Sequence, residues 1–329
     1  MNLHQFRFVR EAVRQNFNLT ETAKALFTSQ PGISKAIIEL EEELGVDIFR
    51  RHGKRIRNLT EPGQRILISL EKILQEIENL KRVGKDYAAQ DQGSLTIATT
   101  HTQACYALPK VIIEFTKRFP KVQLSIQQGT PSQIAEMVEN DEADLGIASE
   151  VLSDNKKLVT LPAYEWGHQI ITLPNHPLLA LQELTLEELA KYPLVTYDPA
   201  FAKRSKINQA FAQANLKPNV VLEAIDADVI KTYVEIGLGV GIVTEMAFDH
   251  QRDHTLRSLP AGKLFGMNLT YIGIKQDAYL RSYVYTFIEL FAPTLTRQKI
   301  EKKMSAKSDD IDTDNHPESP HESLLRAYS

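Results

Sequence analysis

The sequence predicts an α/β protein in which a winged helix-turn-helix, rich in α-helix, precedes a larger domain of two α/β lobes. Three observations carry this. Short amphipathic helices and a basic strand pair fill the first 60 residues. A longer helix with heptad spacing follows. From Ser94 onward strand-like and helix-like segments alternate, the pattern of parallel sheets covered by helices.

The bulk properties agree. At 329 residues, with 43% hydrophobic and 24% charged residues, the chain has ordinary globular composition and room for about two domains of roughly 150 residues. Its one cysteine, Cys105, allows no intramolecular disulfide and no cysteine zinc cage. No apolar run approaches the roughly 18 residues of a membrane span, and Met1–Arg7 does not read as a signal peptide. A cytoplasmic location is the expectation, with no membrane partner. The net charge of −4 is unevenly spread: residues 1–88 carry 15 Lys/Arg against 12 Asp/Glu, residues 89–293 carry 17 against 23.

In chain order, Leu3, Phe6, Val9 and Val13 predict a first helix ending near Gln15. Asn18 or Thr20 caps a second, with Ala23, Leu26 and Phe27 on its buried side. Thr28 or Ser29 caps a third, Pro31 suits its first turn, and Gly45 stops it. Ile33, Ile37 and Leu40 would face inward, leaving Gln30, Ser34 and Lys35 outward. Val46–Phe49 and Ile56–Leu59 form the wing, which carries Arg50, Arg51, Lys54, Arg55 and Arg57 without an intervening acid.

Thr60–Gly63 then starts a helix whose Ile66, Leu70, Ile73, Ile77 and Leu80 make a heptad seam. That seam fits pairing with a second copy, or equally an amphipathic helix on its own domain's core. Strands are predicted at 95–98, 122–126, 145–148, 194–197 and 220–222, with helices at 106–118, 132–139, 204–214 and 229–236 between them. Further strands at 166–173 and 268–274 suggest two lobes joined by crossovers. The domains are accordingly 1–60, 61–90 and 91–295. A tail, 296–329, is expected to be disordered from about 305, because Asp, Ser, His and Pro leave little apolar surface to bury.

No established catalytic motif is present, so no catalytic residue, cofactor or metal is expected. Gly237–Gly241 lies between a helix and a strand, the reverse of a dinucleotide loop, and reads as a tight turn. His101 and Cys105 stand four residues apart without an orienting partner, too little for a nucleophile and base. His316 and His321 read as solvated. More is carried by the third helix: an amide, a hydroxyl and an ammonium at its amino end suit base edges and phosphates in a major groove, with the wing cations on backbone. Glu41–Glu43 would be repelled by phosphate, so the carboxyl end must point away. Thr99–Gln103, after a strand and before a helix, offers a neutral donor-rich site for a carboxylate or sulfate; Thr100 or Thr102 acting only as a helix cap is an equal reading.

The runs Thr28-Ser29-Gln30-Pro31-Gly32-Ile33-Ser34-Lys35, Ile97–Ala104, Asp226–Val234 and Leu280–Tyr283 resemble the LysR-type transcriptional regulators, and within them the branch controlling the cysteine regulon. The likeness runs from Met1 to about Arg297. It implies an effector domain like a periplasmic binding protein and promoter DNA contacted through Thr28, Ser29, Gln30, Pro31, Ser34, Lys35, Arg50, Arg51 and Lys54. It also implies a small anionic effector held by Thr100, Thr102, Gln103, Ser149, Trp166 and Ala202. N-acetylserine or O-acetylserine would induce, and sulfate or thiosulfate would compete. The implied partners are RNA polymerase and further copies of the chain, a dimer through residues 62–84 and a tetramer through the effector lobes. The sequence departs from the branch at three places. Cys105 replaces an arginine, while Ser149 and Ala202 replace threonines, and Ala202 loses a hydroxyl. A regulator of another small carboxylate, a solute-binding protein and an α/β enzyme remain as alternatives.

Overall fold

The computed structural model describes residues 1–53, 55–88, 91–149, 152–153, 155–198 and 202–309, without the side chains of 85, 202–205 and 307–309. These form two compact units, one of Met1–Gln90 with Ala278–Arg281, the other of Asp91–Asp277 with the chain from Ser282.

In the first unit α1 (Leu3–Arg14) starts from a capping box between Asn2 and Gln5, α2 (Leu19–Ala25) from Asn18 and α3 (Gln30–Leu44) from Ser29. Gly45 closes α3 in the left-handed region, at φ 71°. Phe6, Val9, Ile33, Ile37 and Leu40 meet in one core with Ile48, Phe49 and Ile56 of the wing. Phe27 departs from expectation: it is 97% exposed, because the turn between α2 and α3 passes through a positive φ at this residue and directs it outward. The wing is the antiparallel pair β1 (Phe49–His52) and β2 (Arg55–Leu59), so Val46 and Asp47 lie before its first strand.

The next helix, α4 (Glu61–Ala88), is fastened to the wing at its start. The Thr60 amide donates to the Ile48 carbonyl at 2.9 Å, and the Gly63 amide donates to the Thr60 hydroxyl at 2.9 Å. A Cβ on Gly63 would lie 2.0 Å from the Ile48 carbonyl oxygen, so only glycine fits. The heptad seam divides. Leu70, with Leu74, is buried in the helix-turn-helix core and Ile66 packs against it, whereas Ile73 and Leu80 are 42% and 70% exposed. The core that the amino-terminal half of this helix covers therefore comes from the three preceding helices, which sequence spacing does not place beside it. Farther along, the Tyr279 amide donates to Asn79 at 2.9 Å and its hydroxyl to Asp86 at 3.0 Å.

The second unit is built on two five-stranded sheets. In the first, β3 (Gln92–Thr99) runs parallel to β4 (Lys121–Gln128) and β5 (Leu145–Ala148), with α5 (Leu108–Arg118) and α6 (Pro131–Glu139) as the intervening helices. The chain leaves by β6 (Leu158–Trp166) and, after Gly167 alone, enters the second sheet as β7 (His168–Thr172). After the short α7 (Leu186–Leu189) come β8 (Pro193–Tyr197), α8 (Ala202–Gln213), β9 (Asn219–Ala224), α9 (Ala227–Glu235) and β10 (Val240–Thr244), then β11 (Arg257–Pro260). The short α10 (Gly262–Phe265) and β12 (Asn268–Lys275) return the chain to the first sheet. The sheets are mixed, not parallel throughout: β12 is antiparallel to β5 and β6, and β7 to β10 and β11. β7 enters after Gly167 alone and β12 after the four-residue α10, both shorter than the helical return that parallel neighbours require.

Gly237–Gly241 is the expected turn, with Gly237 at φ 83° and the position of a Cβ on Gly239 only 2.4 Å from the Pro193 carbonyl oxygen. The chain continues through α11 (Ser282–Phe291) and α12 (Arg297–Asp309). Residues 305–309, expected to be disordered, are thus helical, and Ile300 is fully buried. His316, His321 and the rest of 310–329 lie outside the described residues.

The division of α4 predicts unequal costs. In urea unfolding at a concentration low enough to keep the chain monomeric, Leu70→Ala should lose about 2–5 kcal/mol of stability, while Ile73→Glu should stay within about 0.5 kcal/mol as an exposed substitution. Equal losses would show that Ile73 is also core.

Candidate functional site

Two sites develop from these elements. In the first unit α3 presents Gln30, Pro31 and Lys35 exposed and Ser34 half-buried, with Thr28 exposed just before them. The Ser29 hydroxyl accepts the Gly32 amide at 3.3 Å as the helix cap. Lys35 lies 3.7 Å from Glu39, both well exposed, so solvent screens the pair. On the wing Arg50, Arg55 and Arg57 are exposed. Lys54 is outside the described residues.

Arg51 is placed differently from its neighbours. Its guanidinium pairs with Glu41, whose side chain is only 6% exposed. The Glu41 carboxylate also accepts the amides of Ile48 and Phe49 at 2.8 and 3.0 Å. The acidic run is therefore not one solvated end. Glu42 and Glu43 are exposed, while Glu41 joins α3 to the wing through charge-assisted hydrogen bonds.

In the second unit β3 ends at Thr99, and the chain is helical from His101, passing through a π turn over Gln103–Ala107 before α5. The predicted start at Tyr106 was late by five residues because a π turn has no 3.6-residue signature. The Ala104 amide reaches the Thr100 carbonyl at 3.0 Å, so His101, Thr102 and Gln103 form the first turn of the helix, ahead of its own backbone ladder. Thr102 has helical backbone and no side-chain cap bond, which leaves its hydroxyl without a capping role there. Thr99 stands opposite Ile147 in the parallel pair β3–β5. Thr100–Gln103 and Ser149 thus sit at the carboxyl ends of neighbouring strands, where open α/β sheets take ligands.

Trp166 ends β6, and a residue that sequence reading missed brings it to Gln103. The Thr270 hydroxyl accepts the Trp166 indole N–H at 3.1 Å and the Gln103 amide N–H at 3.2 Å. The Gln103 carbonyl accepts the Tyr164 hydroxyl. Burial pushes the Tyr164 pKa up to about 12, although its bonds to Thr270 and Gln103 act the other way, so it is a neutral donor. No local signal marks Thr270, which lies more than 100 residues away in an ordinary strand pattern. Thr100, Thr102, Gln103, Ser149 and Trp166 are all buried. Ala202 begins α8, and its side chain is outside the described residues.

His101 connects this region to α9. Its Nε2 lies 2.9 Å from an Asp228 carboxylate oxygen and its Nδ1 lies 3.3 Å from the Gln128 amide oxygen. Burial lowers the imidazole pKa, but these bonds and the Asp226 and Asp228 charges outweigh it and hold it above the ordinary value. Burial works to raise Asp228, yet donors from Tyr106, His101 and Lys231 bring it below the usual carboxylate range. Lys231 in turn donates to the Tyr106 hydroxyl at 2.9 Å and to Asp253 at 3.1 Å.

Among the described residues no helix is long and apolar enough to cross a membrane. Residues 3–64 match the bacterial regulatory helix-turn-helix protein family of LysR type, and residues 88–296 match the LysR substrate binding domain. The chain is 66% identical over 309 residues to the HTH-type transcriptional regulator CysB of Burkholderia cenocepacia, covering 94% of this chain and 99% of that protein. It is 46% identical over 313 residues to the HTH-type transcriptional regulator Cbl of Escherichia coli, covering 95% and 99%. The crystal structure of the cofactor-binding domain of the Cbl transcriptional regulator superposes with a TM-score of 0.62 at 45% identity, over 65% of this chain and 93% of that one.

Thr270→Val tests the buried junction. Leaving the Gln103 and Trp166 donors without an acceptor should cost about 1–3 kcal/mol. Since Trp166 is the only tryptophan, its emission should shift in the folded variant. Unchanged emission and stability would mean that the junction is not formed.

Proposed function

The chain belongs to the LysR family of bacterial transcriptional regulators, and we propose that it controls sulfur-assimilation and cysteine-biosynthesis genes in response to a small anion. The observation that carries this reading is a neutral donor set, Thr100, Thr102, Gln103 and Ser149, at parallel strand ends in a chain that begins with a helix-turn-helix. We place DNA binding in residues 1–60, the linker in 61–90 and effector binding in 91–295, in a cytoplasmic protein. The inducer is N-acetylserine or O-acetylserine, and sulfate or thiosulfate competes through the same donors. Ala202 has no hydroxyl to add. RNA polymerase is the partner at activated promoters.

On DNA, Gln30, Ser34 and Lys35 reach the major groove with Thr28 and Pro31 beside them, while Arg50 and Lys54 hold phosphates. Ser29 and Arg51 act through position, Ser29 as the α3 cap and Arg51 through Glu41. Exposed Ile73 and Leu80 on α4 suit a second copy. The edge strands β4 and β9 expose Ile126 and Val221, apolar surface suited to the further contact that completes a tetramer. Ile73→Glu should then separate the linker dimer in sedimentation without unfolding it.

A gel shift over a salt series tests the DNA assignment. Arg50→Ala should weaken binding to all sequences and lower the salt slope by about one. Gln30→Ala should cost on the order of 1–3 kcal/mol at the cognate site and relax specificity. Unchanged binding in both variants would overturn the assignment. Calorimetric titration with N-acetylserine, sulfate and an unrelated carboxylate tests the effector. The first two should bind wild type and weaken in Thr102→Ala, and equal or absent responses to all three would overturn it.

A further inference from the structure

We propose that His101, Cys105 and Asp228 form a three-ligand site for zinc that ties the two lobes of the effector unit together. Among the described residues these three offer a nitrogen, a sulfur and an oxygen, all within 4.8 Å of one another. The Cys105 sulfur is 3.4 Å from His101 Nε2, and that nitrogen is 2.9 Å from the Asp228 oxygen. Tetrahedral zinc with ordinary bond lengths separates such ligand atoms by about 3.3–3.6 Å, so small side-chain adjustments complete the geometry. The mixed donor set suits zinc better than a hard oxygen-seeking cation.

The surroundings are those of a prepared ligand. Without metal the His101 Nε2 proton faces Asp228; zinc would displace that proton, and Gln128, 3.3 Å from Nδ1, would then accept from Nδ1–H and hold the ring with its Nε2 lone pair on the metal. The other Asp228 oxygen accepts from Tyr106, and Lys231 stands 3.3 Å from that oxygen. Lys231 opposes a cation, but its charge is shared with Asp253, and Asp226 adds a further carboxylate to the field. Zinc takes the thiolate and releases its proton to water. Three protein ligands leave a fourth position for a water or another ligand.

His101 and Cys105 follow β3 in the first sheet, whereas Asp228 opens α9 over the second, so zinc would join the lobes beside the effector run. The metal-free full-length chain should be titrated with cobalt as an optical probe and then with zinc. One equivalent of cobalt should produce a thiolate-to-metal charge-transfer band that one equivalent of zinc removes, and zinc should raise the unfolding temperature. Cys105→Ser, nearly isosteric, should lose the band while retaining the native circular dichroism spectrum. Gln128→Ala should keep the band with affinity reduced about 10–100-fold, and Asp228→Asn should lose the thermal gain from zinc. A cobalt complex without the thiolate band, or zinc affinity unchanged in Cys105→Ser, would overturn the site. Full thermal gain in Asp228→Asn would overturn the bridge between lobes.

Discussion

A carboxylate removed from water is costly unless donors replace its hydration, and Glu41 meets that condition with the Ile48 and Phe49 amides and the Arg51 guanidinium. This cluster makes one rigid body of α3 and the wing. Together with the core that Ile33, Ile37 and Leu40 share with Ile48, Phe49 and Ile56, it sets where Gln30, Ser34 and Lys35 point relative to Arg50. The far side of the wing is tied in the same way, by Thr60 and the close approach of Gly63 to the Ile48 carbonyl. The start of α4 therefore inherits its direction from the wing.

In the effector unit the governing constraint is the pair of direct crossovers, through Gly167 on the way out and Gly266 before β12 on the way back. Thr270 lies just beyond the return, Trp166 just before the departure, and both are bonded into the Gln103 junction. The Gln103 amide is oriented by its bonds to Thr270 and Tyr164, with one N–H donated to Thr270 and the oxygen accepting from Tyr164. This junction lies where the chain passes between the sheets, so the residues that orient Gln103 are the same few that link the lobes. An effector shifts that arrangement only by its differential affinity for the two states.

The contact of His101 and Tyr106 with Asp228 is a second connection between the same sheets. Its groups are partly exposed, so solvent screening keeps the direct ionic contribution modest. It has more weight as a geometric condition. It holds the helical start after β3 against α9, and it aligns the imidazole with Gln128 on the neighbouring strand.

Much of this molecule was legible in one dimension. The order of helices, wing and long helix, the Asn18 and Ser29 caps, the Gly45 stop and most strands of the two lobes follow from local periodicity and turn chemistry, which act over a few residues. The outward row on α3 and the donor run after β3 were visible for the same reason. What could not be seen depends on neighbours distant in sequence. The α4 seam divides because a core built by α1–α3 lies against half of it. Arg51 pairs with Glu41 because burial of that carboxylate demands a cation. Thr270 and Asp228 reach Gln103 and His101 only after the crossovers bring the sheets together. By itself the sequence determined the elements and the chemistry each carries. The tertiary structure alone decided which of those groups are spent on one another, because desolvation and hydrogen-bond pairing depend on distance in space, not on separation along the chain.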